Sequence, residues 1–250
     1  MSGQALKPVR LDRLLSNLGY GVRKDIASMA KAGLIVLDGE GISRADQKIT
    51  PTLDLPDRLI IDDEPVDPMP GLILMLNKPV GVTCSRKDPG ALVEECLPPR
   101  WRRRSPAISP VGRLDKDTSG MLLMTDDGQL NHRITSPKYH TPKVYVASLD
   151  RPLSGNEASV FASGELMLEG EDKPLLPAEL QVINDHNVRL TLHEGRYHQV
   201  RRMFAAVGNH VTVLHRERIG GLALPDDLPP GDWRILTEAD CASIFSNDKS

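Results

Sequence analysis

The sequence predicts an α+β fold built on a mixed sheet, with a smaller unit ahead of it. Three observations carry this expectation. Strand patterns outnumber helical ones and show no regular strand–helix–strand alternation, which argues against a doubly wound sheet. The first 67 residues concentrate two amphipathic helices followed by small strands. Between the two parts, EPVDPMPG (64–71) holds three Pro and one Gly in eight residues, the composition of a linker. The expected organisation is a first domain over residues 9–67 and a second over 68–250, with the linker at about 64–71.

Each element follows from local pattern. In RLDRLLSNLGYG, Leu11, Leu14, Leu15 and Leu18 keep helical spacing, with Arg10, Arg13 and Asn17 largely on the other side. Gly19 and Gly21 end that helix. Val22-Arg23-Lys24-Asp25 opens a second one, whose apolar side is Ile26, Met29 and Ala30 and whose stop is Gly33. LIVLDGEGI reads as strand, Asp-Gly turn and strand, and RLIIDD as a further strand. LILMLNKPVGVTCS is a buried strand broken by Pro79 and Gly81, and PPRWRRRSPAISP (98–110) is a Pro-rich basic surface loop. MLLMT (121–125) and KVYVASL (143–149) are strands. AELQVIND and HNVRLTLHEG form a hairpin about Asn184-Asp185. GRYHQVRRMFAAVG is a helix with Val200, Met203, Phe204 and Val207 on one side, and VTVLHRERI is a closing strand.

Composition narrows the class. At 250 residues and 27.5 kDa, with 40% hydrophobic and 4% aromatic residues, the core is filled by Leu, Val, Ile and Met. No apolar run is long enough to cross a bilayer, and MSGQALKPVR lacks the apolar centre of a secretory signal. Three scattered Cys suit reduced thiols better than a disulfide framework. A soluble, cytoplasmic protein with no membrane partner is expected.

Net charge is −3, yet it is unevenly spread. Residues 1–31 carry six Lys/Arg against two acids, and 32–67 carry three against nine. Residues 189–218 carry six Arg and four His against two Glu. Alternating faces of this kind can present a positive stripe to phosphates, or can be ordinary solvated surface.

The most tightly punctuated stretch is GRLDKDTSGMLLMTDDG (112–128). Its four Asp could suggest a metal, but the further ligands of a calcium loop are missing. A phosphate-binding loop would need Gly-Lys-Ser/Thr, which is absent. A glycosidase-like pair, Asp115 with Asp117, is chemically open, although the low aromatic content weighs against a sugar site. Asp126-Asp127-Gly128 reads as a tight turn after a strand. His193, His198, His210 and His215 lack the paired Cys of a zinc site, and no metal is expected. His198 and Arg202, four apart on one helix, are expected to face RNA or solvent.

Two resemblances sharpen this reading. RLDRLLSNLGYGVRKDIASMAKAGLIVLDG resembles the S4 RNA-binding domain over roughly residues 9–67. That implies an RNA-backbone contact through Arg10, Arg13, Arg23, Lys24 and Lys31. GRLDKDTSG, preceded by LNKPVG (76–81) and followed by PKVY (142–145) and EGRYHQVRRMFAAVG (194–208), resembles the pseudouridine synthases in their order of motifs. TDDGQLNHRITSPKYH (125–140) and RYHQVRRMFAAVGNHVTVLHRERIGG are similar to the RsuA branch, which acts on small-subunit ribosomal RNA. WRRRSP has no counterpart that can be matched.

The resemblance implies a largely antiparallel mixed sheet flanked by helices, and an isomerase that moves uridine from an N1–C1′ to a C5–C1′ linkage. Such a reaction needs no cofactor. It implies Asp115 as the catalytic carboxylate, held ionised by Arg201. It implies Tyr145 stacking on the extruded uracil, and Arg113 stacking in the gap left behind. Lys78 would pack near the site or hold a phosphate. The branch implies the uridine at position 516 of 16S rRNA, free or in a small-subunit assembly intermediate, and a monomer is the expected state. The alternative is a non-catalytic S4-type RNA-binding ribosome assembly factor, against which the presence of Asp115, Tyr145 and Arg201 counts.

Overall fold

The computed structural model describes residues 7–246, which fall into two compact units. The first comprises residues up to Leu72 together with Leu97–Ser109 and Thr125–Asp127; the second comprises the rest. The first unit opens with β1 (Val9–Arg10), α1 (Leu11–Asn17) and α2 (Arg23–Lys31). Next come β2 (Ile35–Leu37), β3 (Glu40–Gly41), β4 (Lys48–Ile49), β5 (Leu59–Ile61) and β6 (Glu64–Pro65). The helical spacing delivers what it should: Leu11, Leu14, Leu15, Leu18, Ile26 and Ala30 are buried in one core with Ile35, Leu59 and Ile61. Strands β3-β2-β5-β6 form a small antiparallel sheet, and β1 pairs with β4.

The segment 64–71, expected as a linker, is not a free tether. Pro65 pairs with Ile60, Val66 and Met69 enter the core, and the Asp67 carboxylate is bound by Arg100. Proline removes a donor but leaves a ring to pack and a carbonyl to pair, so a Pro-rich run need not be loose. The boundary therefore falls nearer 72 than 67, and two later stretches of sequence join the first unit.

In the second unit the sheet is built from β7 (Ile73–Lys78), β8 (Ser109–Pro110), β9 (Thr118–Thr125), β10 (Lys143–Leu149), β11 (Glu179–Asn184) and β12 (Asn187–Leu192). It is completed by β13 (Val211–Ile219), β14 (Leu222–Ala223) and β15 (Trp233–Ile235). Their order is β11-β12-β10-β13-β9-β7-β15, with β14 on β13 and β8 on β9. Strands β10, β12 and β13 pair antiparallel, whereas β13 and β9 run parallel, so the sheet is mixed as expected. Gly120 is required at that parallel pairing: its φ is +101° and a Cβ would collide with the backbone of Arg216.

The helices of this unit are α3 (Gly128–Thr135), α4 (Glu157–Ala162), α5 (Gln199–Ala206) and α6 (Glu238–Ser243). α4 and α5 meet edge to face through Phe161 and Phe204, whose ring centroids lie 5.2 Å apart. Ile73, Met75, Met121, Leu123, Ile134 and Ile219 form a second apolar core.

Candidate active site

The turn that carries Asp115 lies just ahead of β9 and is gripped along its backbone. The Thr118 amide donates to the Asp115 carbonyl at 3.1 Å, closing the turn. The Gly81 amide donates to the Lys116 carbonyl at 2.7 Å. Beneath the turn, the fully buried Lys78 ends β7 and spends its Nζ on three carbonyls: Thr118 at 2.8 Å, Pro79 at 3.0 Å and Lys116 at 3.4 Å. Burial pushes the Lys78 amine below its ordinary range, opposed by the nearby Cys84, Asp115 and Asp117. Lys78 is thus a clamp on the turn, and a phosphate has no access to it. On the outer side, Lys116 reaches the Pro89 carbonyl at 3.0 Å and ties down the following loop.

The Asp115 carboxylate itself is under-bonded. It keeps 28% side-chain exposure, and Oδ1 lies 3.5 Å from His198 Nε2. His198 sits in the left-handed region, with φ of 47°, and its ring stacks on Tyr197 at 3.9 Å between centroids. That backbone kink is why α5 starts at Gln199 and not at the GRYH residues, and it turns the imidazole toward Asp115 rather than along the helix face.

Arg201 does not meet Asp115. Its Nη2 lies 2.9 Å from Asp117 Oδ2, and its Nη1 donates to the Val211 carbonyl at 2.7 Å. The guanidinium therefore lines the same turn, two residues along from the expected partner, and its Nε is a buried donor without a partner among the described residues. Arg202 does not face RNA or open solvent: it binds Glu171 at 2.8 Å, and Arg196 binds Glu171 at 3.1 Å. Together they fasten the 169–174 loop against the turn before α5.

Tyr145 lies on the central strand β10, nearly buried, with Arg216 opposite on β13. Arg216 is 2% exposed; its Nε donates to the Met121 carbonyl at 2.8 Å and its Nη1 lies 3.4 Å from the Tyr145 hydroxyl. Its Nη2 has no partner among the described residues, a donor available to an arriving group. Two residues before Tyr145, burial and the Arg216 charge push the Lys143 amine down to about 8. Arg113 is exposed, as a group meant to meet a ligand would be. Sequence reading turned His198 toward RNA or solvent and not toward Asp115, and did not single out Arg216 or Lys143. Their signals were faint: a His at a helix start, an Arg inside a strand, and the Lys of a Lys-x-Tyr segment.

In the first unit, Arg10 is bound to Asp12 at 2.7 Å, while Arg13, Arg23, Lys24 and Lys31 are exposed on α1 and α2. Of the clustered histidines, His193 Nδ1 lies 3.2 Å from the His140 carbonyl and His215 Nδ1 lies 2.9 Å from Ser119 Oγ.

A partly exposed carboxylate on a clamped turn, with an imidazole 3.5 Å away and Arg201 on the Asp117 side of the same turn, suits attack on an electrophilic carbon with charge stabilised nearby. Relatives agree with that chemistry. Residues 72–206 match the family described as RNA pseudouridylate synthase. The chain is 44% identical over 241 residues to "Ribosomal small subunit pseudouridine synthase A" of Escherichia coli (strain K12), covering 94% of this chain and 100% of that one. The protein of the same name from Yersinia pestis is 44% identical over 240 residues, covering 94% of this chain and 98% of the other. A solved structure described as "Crystal structure of pseudouridylate synthase" superposes with a TM-score of 0.65 at 35% identity, covering 94% of this chain and 99% of that one. By its site and by its relatives, the chain belongs to the RNA pseudouridylate synthase family.

Proposed function

We propose that this protein converts one uridine of small-subunit ribosomal RNA to pseudouridine, at position 516, in the bacterial cytoplasm. The observation that carries the reading is the Asp115 turn: a carboxylate left open while the backbone around it is fixed by Lys78 and Gly81. The name shared by relatives at 44% identity supports a small-subunit ribosomal substrate.

The reaction breaks the N1–C1′ bond, turns the base, forms C5–C1′ and moves the C5 proton, with no net oxidation. Asp115 acts as the ionised nucleophile or acid/base on the flipped nucleotide. Arg201 acts from the Asp117 side of the turn, adding positive potential beside the reacting nucleotide. Tyr145, oriented by Arg216, offers its ring to the uracil and its hydroxyl to proton transfer. Arg113 fills the vacated stack. The first unit acts as an S4-type anchor through Arg13, Arg23, Lys24 and Lys31, with Arg10 joining if it leaves Asp12.

The test is to incubate unmodified small-subunit RNA, naked and loaded with ribosomal proteins, with the protein or with Asp115→Asn. Pseudouridine is then mapped by carbodiimide-dependent reverse-transcription stops. One new stop at 516, absent with the variant, is expected. A stop elsewhere keeps the chemistry and overturns the substrate; no stop with binding intact points to a ribosome assembly factor.

A further inference from the structure

We infer that the 97–109 segment is part of the RNA-binding surface, where Arg102 and Arg103 carry the free cations of α1 and α2 onward to further backbone phosphates. This rests on the RNA-anchor reading of the first unit and extends it to a segment outside residues 9–67. In sequence the segment lies between two strands of the large sheet, yet it packs with the first unit.

The docking is close and rigid. Gly19, at φ +94°, has no room for a Cβ because the Arg100 carbonyl lies against it. The Ser105 amide donates to the Asn17 carbonyl at 2.8 Å. Arg100 holds Asp67 through two bonds of 2.6 and 2.9 Å and lies 4.3 Å over the Tyr20 ring, while the Asp67 amide donates to the Tyr20 hydroxyl at 3.0 Å. Arg104 is buried and donates to the Pro68 carbonyl at 2.9 Å. All these anchors sit between residues 17 and 20 or 67 and 68, at the corner where α1 gives way to α2.

What this scaffold displays is Arg102 and Arg103, on a short 3₁₀ turn pinned by the buried Trp101. Both are exposed. Their surroundings show a division of charge within the unit. On the strand side Arg44 is paired with Asp46, and Arg58 with Asp38 and Asp54. At the helical corner Arg23, Lys24, Arg102 and Arg103 are exposed and have no ion pair among the described residues. Lys48 on β4 is exposed and likewise has no ion pair among the described residues, but the strand-side arginines are neutralised while four cations stand open at the helical corner. Such a cluster is the footprint of a polyanion, and presenting it on a fixed turn lowers the ordering cost of each contact. A phosphodiester backbone fits the chemistry of a chain that already acts on RNA.

The experiment measures binding of unmodified small-subunit RNA across a salt series for wild type, Arg102→Ala/Arg103→Ala and Arg102→Lys/Arg103→Lys, with thermal melts of each. The Ala pair is expected to raise Kd about fivefold to tenfold and to lower the salt slope by about 1.4–1.8, since each phosphate contact contributes roughly 0.7–0.9. The Lys pair should keep the wild-type slope. An Ala pair with wild-type Kd and slope, while wild type binds and modifies, overturns the inference and leaves the anchor reading standing. A Lys pair that fails like the Ala pair also overturns it. Wild type that neither binds nor modifies this RNA overturns the underlying reading.

Discussion

Two aspartates bracket strand β9, and their surroundings could hardly differ more. Asp126, directly after the strand, is 1% exposed at the side chain; it accepts from the Gly71 amide at 2.9 Å and faces the equally buried Arg104 at 3.3 Å. Asp115, three residues before the strand, keeps 28% exposure and, among the described residues, has only His198 within salt-bridge reach, at 3.5 Å. Both come from one short stretch of sequence rich in Asp. A carboxylate surrounded by fixed donors is spent on holding backbone in place. One left short of donors, on backbone held by something else, is available for chemistry. The first is architectural, and the second fits the reactive role proposed for it.

Exchanging each for its amide should separate those roles. Asp115→Asn is expected to lower single-turnover pseudouridine formation on the order of 10⁵-fold, the scale seen when a nucleophile is removed, with the melting temperature nearly unchanged because the side chain is half open. Asp126→Asn should do the reverse. It leaves the buried Arg104 uncompensated and should cost about 3 kcal/mol of folding stability, read by denaturant melts, while activity per folded molecule stays near wild type. If Asp126→Asn lost activity without losing stability, the division would fail.

The clamp beneath Asp115, the proposed nucleophile, is the next lever. Lys78→Met removes a buried charge but orphans the Thr118 and Pro79 carbonyls, so its net stability cost should be modest, about 1–2 kcal/mol. The turn loosens, and a misplaced nucleophile is costly: we expect the single-turnover rate at saturating RNA to fall about 10²-fold, with RNA affinity changed less than about threefold. An affinity loss with the rate intact would instead make Lys78 an RNA ligand.

Much of this was legible in the residues. Helical spacing identified the buried Leu and Ile of α1 and α2, and strands β10 and β13 run over the stretches expected from KVYVASL and VTVLHRERI. Asp115 stood out as the carboxylate to follow. What was not legible depends on contacts far apart in sequence. The parallel pairing of β13 with β9 joins residues 96 positions apart (Leu214 with Thr118), and it brings Arg216 to Met121 and to Tyr145. No local pattern encodes such a register. Arg201 took Asp117 because the left-handed His198 resets where α5 begins, and a positive φ at a non-glycine residue has no sequence signature. The linker expected at 64–71 failed for the same reason: its partners, Arg100 and Arg104, lie more than thirty residues onward.

The smallest effect sharpens the contrast between spent and unspent charge through a base rather than an acid. Lys143 donates to the Thr141 carbonyl at 2.9 Å, and its amine is pushed down to about 8 first by burial and then by the Arg216 charge. In the unfolded chain the same amine titrates near 10.5. Below pH 8 it is protonated in both states, and folding carries the full cost of burying the charge. As pH rises from 8 toward 10.5 the folded protein has released the proton while the unfolded chain still holds it, so stability rises. Wild type should therefore gain on Lys143→Met across that window by about 1–2 kcal/mol, read from denaturant midpoints at pH 7 and pH 10. Acylation of the Lys143 amine should show a midpoint near 8 that moves upward in Arg216→Met. A flat stability difference across the window would mean that Lys143 keeps its ordinary affinity for protons and that water reaches it on β10, leaving Arg216 to act on Tyr145 alone.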